Sequence, residues 1–451
     1  MHDLLIRGGD VVTEAGVRRA DVAVSDGRIT GVGDDLGNDA KRTIDADGTL
    51  VLPGIIDAHT HPVYLDDIES LPRTAAFGGV TTVIHYAYAK PGDGLLDTIR
   101  RFREEAEATS ILDFALHGAL FDPANQSHEI PAAVEAGVTS FKMFMTYAKL
   151  GWMTDDYQLM RTLDTIAEVG GLGMVHAENG LATDYLQDKM LAAGTDPKVA
   201  FLDTRPALLE AEAIHRAISM ARVAGCPIYI PHMTAEHGID VVAAARANGV
   251  RVYAETCPQY LSLTHDDLLA QGPLLKIGPP LRLESDRIAL WKALTDGVLD
   301  TVSSDHAAKD KRIDDPFFEA AYGSPQVETM LPLVYDGGVR EGRITIERLV
   351  KTMCENPARI FGLYPSKGTI RAGSDADLVV FDPAVAWTIA HANQHSNAAY
   401  TAYEGRACHG APRVVISQGR VLIEEGELVA PEARGRFHPT AAGRAALSEL
   451  V

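Results

Sequence analysis

Apolar and polar positions change period along this chain, and the changes mark its organisation. The first fifty residues run in short alternating stretches broken by glycine. DLLIRGGDVV is followed by ADVAVSDGRITGVG, in which Asp26-Gly27 is the dipeptide of a tight hairpin turn. The tail has the same texture, with ADLVVFDP at 376–383 and PRVVISQGRVLIEEGEL at 412–428. Between the two ends, strand-like runs alternate with stretches of helical period such as GLLDTIRRFREEAEA (94–108), PALLEAEAIHRAISMARVAG (206–225) and GIDVVAAARANG (238–249). The candidate strands are TLVLPGIID (49–57), TTVIHYAY (81–88), LDFALHG (112–118), TSFKMFM (139–145), GLGMVH (171–176), PIYIPH (227–232), RVYAET (251–256) and LDTVSSD (299–305). Eight strands, each followed by a helical segment, predict an α/β chain with a TIM-like (β/α)8 barrel. The simplest arrangement assigns 54–367 to that barrel, and 1–53 with 368–451 to a smaller β-sandwich built from both termini. A doubly wound sheet is the main rival. It would offer a glycine-rich phosphate turn, and none stands in the right context.

Ligand-type side chains fall at one place in this pattern. His59 and His61, Lys142, His176, His232 and Asp305 lie at or near strand ends, and the C-terminal ends of barrel strands share one face. DAHTHP (57–62) spaces its two histidines at i and i+2, which points both imidazoles to one side of a strand. A lone pair of this kind has an ordinary reading as hydrogen-bonded histidines near a turn. Two further strand-end histidines and Asp305 shift the reading to a metal centre, with zinc first and manganese or cobalt as alternatives.

Lys142 sits oddly inside the apolar run SFKMFMTY (140–147). Strand parity sets Ser140, Lys142 and Phe144 on one face, with Phe141, Met143 and Met145 on the other. A lysine so placed ordinarily snorkels out or pairs with a buried acid. Burial also lowers an amine's pKa, and a neutral amine can capture carbon dioxide as a carbamate, a two-oxygen anion able to bridge two cations. His85 and His117 lie inside strand runs and are read as structural. Cys257, in ETCPQY, lacks a motif for nucleophilic catalysis and is set aside.

Composition narrows the partners. The formal charge is −21, from 41 basic and 62 acidic residues, which argues against nucleic acid and anionic membrane. No run reaches transmembrane length, and the N-terminus has no sustained apolar stretch. Four scattered cysteines without paired spacing point to reduced thiols and a cytoplasmic setting.

Taken together, LPGIIDAHTHP, SFKMFMTY, MVHAENG, PIYIPHMT, ETCPQYL, GPPLR, TVSSDH and ENPARIFGLYPSKGTIRAGSDADLVVFDP resemble the cyclic amidohydrolases of the amidohydrolase superfamily. The nearest resemblance is to the dihydropyrimidinase and D-hydantoinase branch, which NAAYTAYEG (397–405) also resembles. The resemblance implies two divalent metal ions per chain. His59, His61, Asp305 and a carbamate on Lys142 would hold one ion; the same carbamate with His176 and His232 would hold the other. A bridging hydroxide would attack the amide of a cyclic ureide or imide, with Asp305 as general base and acid and Tyr147 as oxyanion donor. It further implies a small-molecule substrate and a homotetramer or homodimer, with the C-terminal tail reaching a neighbour.

Departures from the branch bear on the substrate. Dihydroorotases resemble HxHxR after the first strand, and here Val63 replaces that arginine. Allantoinases generally lack the tyrosine found at 147. Both features favour a neutral cyclic ureide or imide over an anionic one. The positions whose backbone would hold the ring amide are Gly278, in KIGPPLR, and Tyr322, in YGSPQVE, which brings flexibility at one and bulk at the other. The loop VYLDDIESLP (63–72) is shorter than in the branch. Alternative readings are an allantoinase, another cyclic amide or lactone hydrolase with the same centre, and a non-catalytic scaffold.

Overall fold

The structure, a computed structural model, describes residues 1–13 and 16–450. Its central element is an eight-stranded parallel sheet whose strands follow chain order: Ile55–Thr60, Val80–Ala89, Asp113–Leu120, Ser140–Phe144, Leu172–His176, Ile228–Ile230, Val252–Thr256 and Thr301–Val302. The first and last strands meet through a bridge between Thr60 and His306, with His61 N donating to His306 O at 3.0 Å. Helices including Leu95–Thr109, Asp156–Glu168, Ala207–Ala224, Glu236–Ala247 and Glu284–Asp296 connect the strands. The barrel expected from the alternating pattern is present.

Two apolar layers follow from strand parity. Phe141, Met143 and Met145 pack outward with the helical layer, while Phe144 joins Tyr86, Met174, Tyr229 and Tyr253 in the barrel interior. Lys142 shares parity with Phe144 and is therefore sealed inside, 2% exposed.

The second sheet has nine strands. Five come from the N-terminus (His2–Thr13, Gly16–Ser25, Arg28–Gly33, Ala40–Asp45, Leu50–Pro53) and four from the C-terminus (Leu378–Ile389, Arg406–Ser417, Arg420–Glu424, Glu427–Leu428). Residues from both ends of its strand order, such as Ile29 and Val421, share one core, so the sheet curls over itself as a sandwich. Asp26 and Gly27 both take positive φ (51° and 72°), as the hairpin dipeptide requires.

The run 49–57, read as one strand, is two. Leu50–Pro53 pairs antiparallel with Leu378–Phe381 in the nine-stranded sheet, and Ile55–Thr60 enters the barrel. Gly54 is the break, because its backbone passes so close to Thr81 that a Cβ would lie 2.0 Å from Thr81 Oγ1. The run 299–305 is also shorter than its pattern suggested. Beyond Val302 the Asp57 carboxylate accepts from Ser304 N at 3.0 Å and from His59 N at 3.2 Å, which turns the chain out of the sheet.

The tail returns beneath its own barrel. Phe437 bridges to Phe114, Thr440 Oγ1 meets Thr139 Oγ1 at 2.8 Å, and the Tyr253 hydroxyl donates to Ala445 O at 2.6 Å. A buried knot joins tail, barrel and sandwich. Lys367 Nζ is paired with Asp113, with Asp377 at 2.5 Å and with Asp375 at 3.1 Å. Asp113 also accepts from Arg436 N at 2.8 Å, and His438 Nε2 lies 3.0 Å from it. Burial opposes the Lys367 charge, but the facing Asp377, Asp113 and Asp375 hold its pKa above the ordinary lysine value.

Removing that ammonium takes away the buried cation that Asp113, Asp375 and Asp377 share, leaving the half-exposed Arg28 and Arg436 and the ring of His438 to face them. Lys367→Met should lower stability by about 3–5 kcal/mol in urea unfolding. A loss below about 1 kcal/mol would mean the knot counts for no more than surface pairing.

Candidate metal centre

The barrel strands deliver their polar side chains to one mouth. His59 and His61 leave the first strand, Lys142 points inward from the fourth, His176 ends the fifth, His232 follows the sixth and Asp305 follows the eighth. All six sequence-predicted ligands converge. His61 Nε2 lies 2.9 Å from Asp305 Oδ1, and His59 Nε2 lies 3.2 Å from the same oxygen. His59 Nε2 is also 3.0 Å from Lys142 Nζ. The His176 and His232 rings sit 4.5 Å apart between centroids, and His59 and His232 are 5.3 Å apart.

Burial pushes the pKa values of His59, His61, His176 and His232 down, that of His61 to about 4, so their lone pairs are available at neutral pH. Burial likewise pulls the Lys142 pKa down, and no carboxylate forms an ion pair with it among the described residues.

Three residues of the site hold φ in the left-handed region: Tyr147 at 63°, His232 at 43° and Asp305 at 52°. Each such backbone costs on the order of 1–3 kcal/mol and persists only where its surroundings enforce it. For His232 the enforcing group is Glu255, whose Oε1 accepts from His232 N at 3.1 Å.

Glu255 was not singled out in the sequence, although it lies near the end of the strand RVYAET and the strand-end rule applied to it. It is fully buried. Its Oε1 lies 2.6 Å from His59 Nδ1, and its Oε2 accepts from the Tyr229 hydroxyl at 2.7 Å. A carboxylate on Nδ1 leaves His59 Nε2 facing the cluster. Two other residues orient histidines in the same way. The Tyr88 hydroxyl lies 2.8 Å from His61 Nδ1, and Glu178 Oε2 lies 2.7 Å from His176 Nε2, which frees His176 Nδ1. Arg205 Nη1 in turn donates to Glu178 Oε1 at 2.9 Å. Nothing in their spacing marked Tyr88 or Arg205.

The donor set fits divalent cations. His59, His61 and Asp305 offer two imidazole nitrogens and a carboxylate oxygen within 4.8 Å of one another. A second group with similar spacing, Asp113, Asp375 and His438, has the Lys367 ammonium at its carboxylates, so its negative charge is already neutralised. His85 and His117 stand outside the cluster. They contact Thr60 Oγ1 (2.8 Å) and Ser140 Oγ (2.5 Å) respectively, in keeping with structural roles. Cys257 is buried, and burial raises its thiol pKa far above the ordinary value.

A cavity of about 350 Å³ opens over the centre. Tyr147, Gly278 and Tyr322 all line it. The bulk at 322 and the glycine at 278 are complementary, because a Cβ on Gly278 would lie 3.2 Å from Tyr322 Cδ1 and 3.1 Å from the Tyr147 hydroxyl. Arg205 Nη2 donates to the Tyr322 hydroxyl at 3.0 Å and holds that ring in place. The Tyr147 ring lies 5.3 Å from His176, and among the described residues its hydroxyl has no protein hydrogen-bond partner. Burial raises its pKa well above the usual phenol value, so it remains a donor.

Comparison with known proteins gives a consistent picture. Residues 50–422 match the model of the amidohydrolase family. The D-hydantoinase of Rhizobium radiobacter is 40% identical over 96% of this chain and 98% of its own. The L-hydantoinase of Paenarthrobacter aurescens is 34% identical over 97% of this chain and 98% of its own. The crystal structure of dihydropyrimidinase from Brevibacillus agri superposes with a TM-score of 0.93 at 35% identity, covering 98% of this chain and 99% of that one.

Glu255→Gln keeps the shape but exchanges the carboxyl group that holds His59 Nδ1 for an amide. It should weaken divalent-cation binding at the mouth by about 10- to 100-fold, measured by titration calorimetry on the folded variant. Unchanged affinity would reduce Glu255 to a space-filling role.

Proposed function

The chain belongs to the amidohydrolase family, in its dihydropyrimidinase and hydantoinase branch, and from that premise we propose that it hydrolyses the amide bond of a cyclic ureide or imide. The observation that carries this reading is the gathering of His59, His61, Lys142, His176, His232 and Asp305 at one barrel mouth beside an unpartnered Tyr147 phenol.

His59, His61, Asp305 and Lys142 as its carbamate would hold one divalent ion; the carbamate, His176 and His232 would hold the second. Zinc suits these donors first, with manganese or cobalt as alternatives. Bound there, the ions would supply an acidified water and polarise the ring carbonyl. The chain's own groups do the rest. Lys142, whose charge burial opposes against the pull of Asp305 and Glu255, is an amine disposed to take up carbon dioxide, and the carbamate would add the negative charge that two cations need. Asp305 accepts the proton of the attacking water and returns it to the ring nitrogen as the C–N bond breaks. The Tyr147 phenol donates to the oxygen that becomes negative, a contact worth roughly 3 kcal/mol in comparable sites. Backbone groups of Gly278 and Tyr322 hold the ring amide.

A scaffold without catalysis would be expected to have lost ligands, and all six positions are filled. We extend the same reading to the setting. Four buried free cysteines suit the cytoplasm, and assembly as a homotetramer or homodimer follows the branch. No helix among the described residues is long and apolar enough to cross a membrane.

The decisive experiment is a turnover panel of dihydrouracil, hydantoin, 5-substituted hydantoins of both hands, allantoin, dihydroorotate and succinimide. Opening of dihydrouracil, a hydantoin or the imide is expected, with little action on dihydroorotate; rapid turnover of dihydroorotate, whose carboxylate is fixed directly to the ring, would overturn that substrate assignment. Lys142→Ala should abolish activity and strip metal, and added short-chain carboxylic acids should restore part of both. Tyr147→Phe should lower kcat by about 10²- to 10³-fold while metal content stays unchanged.

A further inference from the structure

The mouth of the barrel holds three lysines that the hydrolytic reading leaves unused. Lys276 and Lys309 line the cavity itself, and Lys311 is buried behind them. Each contacts neutral groups only. Lys276 Nζ donates to the carbonyls of Phe318 and Ala320 at 2.8 and 2.7 Å, and Lys311 Nζ to those of Leu274 and Lys276 at 2.9 and 3.1 Å. Lys309 has less still. Its ammonium lies over the Tyr64 ring, and among the described residues no oxygen accepts a hydrogen bond from it.

Elsewhere in the molecule buried cations have anions. Arg205 has Glu178, Arg282 has Glu210, and Lys367 has three aspartates. The cavity wall carries two carboxylates. Asp305 is engaged with His59 and His61, and Glu319 is exposed; neither forms an ion pair with Lys276, Lys309 or Lys311. Burial pushes the Lys309 pKa down to about 7 against the opposing pull of Asp305, and burial together with the nearby Arg205 cation pushes that of Lys276 to about 8.

The position of Lys309 is set by the scaffold. It lies four residues beyond Asp305, on a segment bridged to the first barrel strand through Thr60 and His306 and to the following loop through Leu65 N and Ala308 O at 3.1 Å. With Asp305 at the reacting amide, a cation further along this segment meets what projects from the ring. The cavity, about 350 Å³, is near the small end for ligand sites and has room for a ring with a short arm.

We propose that the natural substrate carries a carboxylate on a short arm attached to its ring, and that Lys309 receives this carboxylate, with Lys276 adding positive potential from the same wall. This inference rests on the cyclic-amide reading and deepens it, but replaces the neutral substrate expected from Val63 and Tyr147 with one whose carboxylate is carried on an arm away from the ring rather than fixed directly to it. It agrees with the absence of an arginine after His61, because the anion is met from the opposite end of the barrel sequence.

The test compares two hydantoins of nearly equal shape, 5-(2-carboxyethyl)hydantoin and its primary amide 5-(2-carbamoylethyl)hydantoin, on the metal-loaded enzyme. The acid should be preferred by about 10-fold or more in kcat/KM, chiefly through KM, and the preference should shrink as salt rises. Lys309→Met should bring the ratio of the two close to one, and Lys309→Arg should keep most of the preference. Equal handling of acid and amide by the wild type, or a ratio unmoved by Lys309→Met, overturns the proposal. If neither ring opens, the hydrolytic reading falls. Calorimetric titration of glutarate then judges the cationic wall alone: weaker binding to Lys309→Met than to wild type supports it, and equal or absent binding refutes it.

Discussion

An amine sealed inside a barrel, with no ion pair to it among the described residues, is the constraint around which the mouth of this molecule is organised. Lys142 points inward because Phe141 and Met143, its neighbours in sequence, occupy the outward face of the same strand. It cannot snorkel to water without breaking that alternation, so its charge must be lost or converted. Four neutral imidazoles and one aspartate around it lack the anionic charge that two cations would want. The proposed conversion of the amine to a carbamate would meet both needs together and would link the most anomalous residue of the sequence to the chemistry of the site.

The histidines are held by a second ring of groups. Glu255, Tyr88 and Glu178 each occupy one nitrogen of a histidine and so decide which nitrogen faces the centre. Glu255 does more, since it also binds the backbone of His232 at a strained φ. The strained backbones at Tyr147, His232 and Asp305 together set several kcal/mol against folding. They are tolerated because the surrounding barrel is rigid. Its interior is filled by large aromatic side chains, its ends are joined through Asp57 and His306, and its underside is covered by the chain's own tail and locked by the Lys367 knot.

Substrate choice is a separate layer built on segments that the barrel strands do not specify. Tyr322 and Gly278 fit one another, one supplying the bulk for which the other leaves room, and Arg205 links that pair to the Glu178–His176 side of the centre. Lys276 and Lys309 line the same wall, and neither forms an ion pair among the described residues. The reaction is thus set by side chains at strand ends, and selectivity by the loops beyond them, the usual division of labour in a barrel of this kind.

By itself the amino-acid sequence determined the barrel, the sandwich from both ends, the hairpin at Asp26-Gly27, the inward face of Lys142 and the ligand-type side chains at the strand ends. These follow from period and from short-range turn chemistry, which are local properties of the chain. The tertiary structure alone decided the rest. It split the run 49–57 at Gly54, because the limit there is the approach of Thr81, about thirty residues away. It disclosed Glu255 and Tyr88, which contact histidines on other strands, and Arg205, which reaches His176 only through Glu178. It showed that Lys309 forms no ion pair among the described residues, which no spacing could reveal, since pairing is a property of everything packed around a side chain.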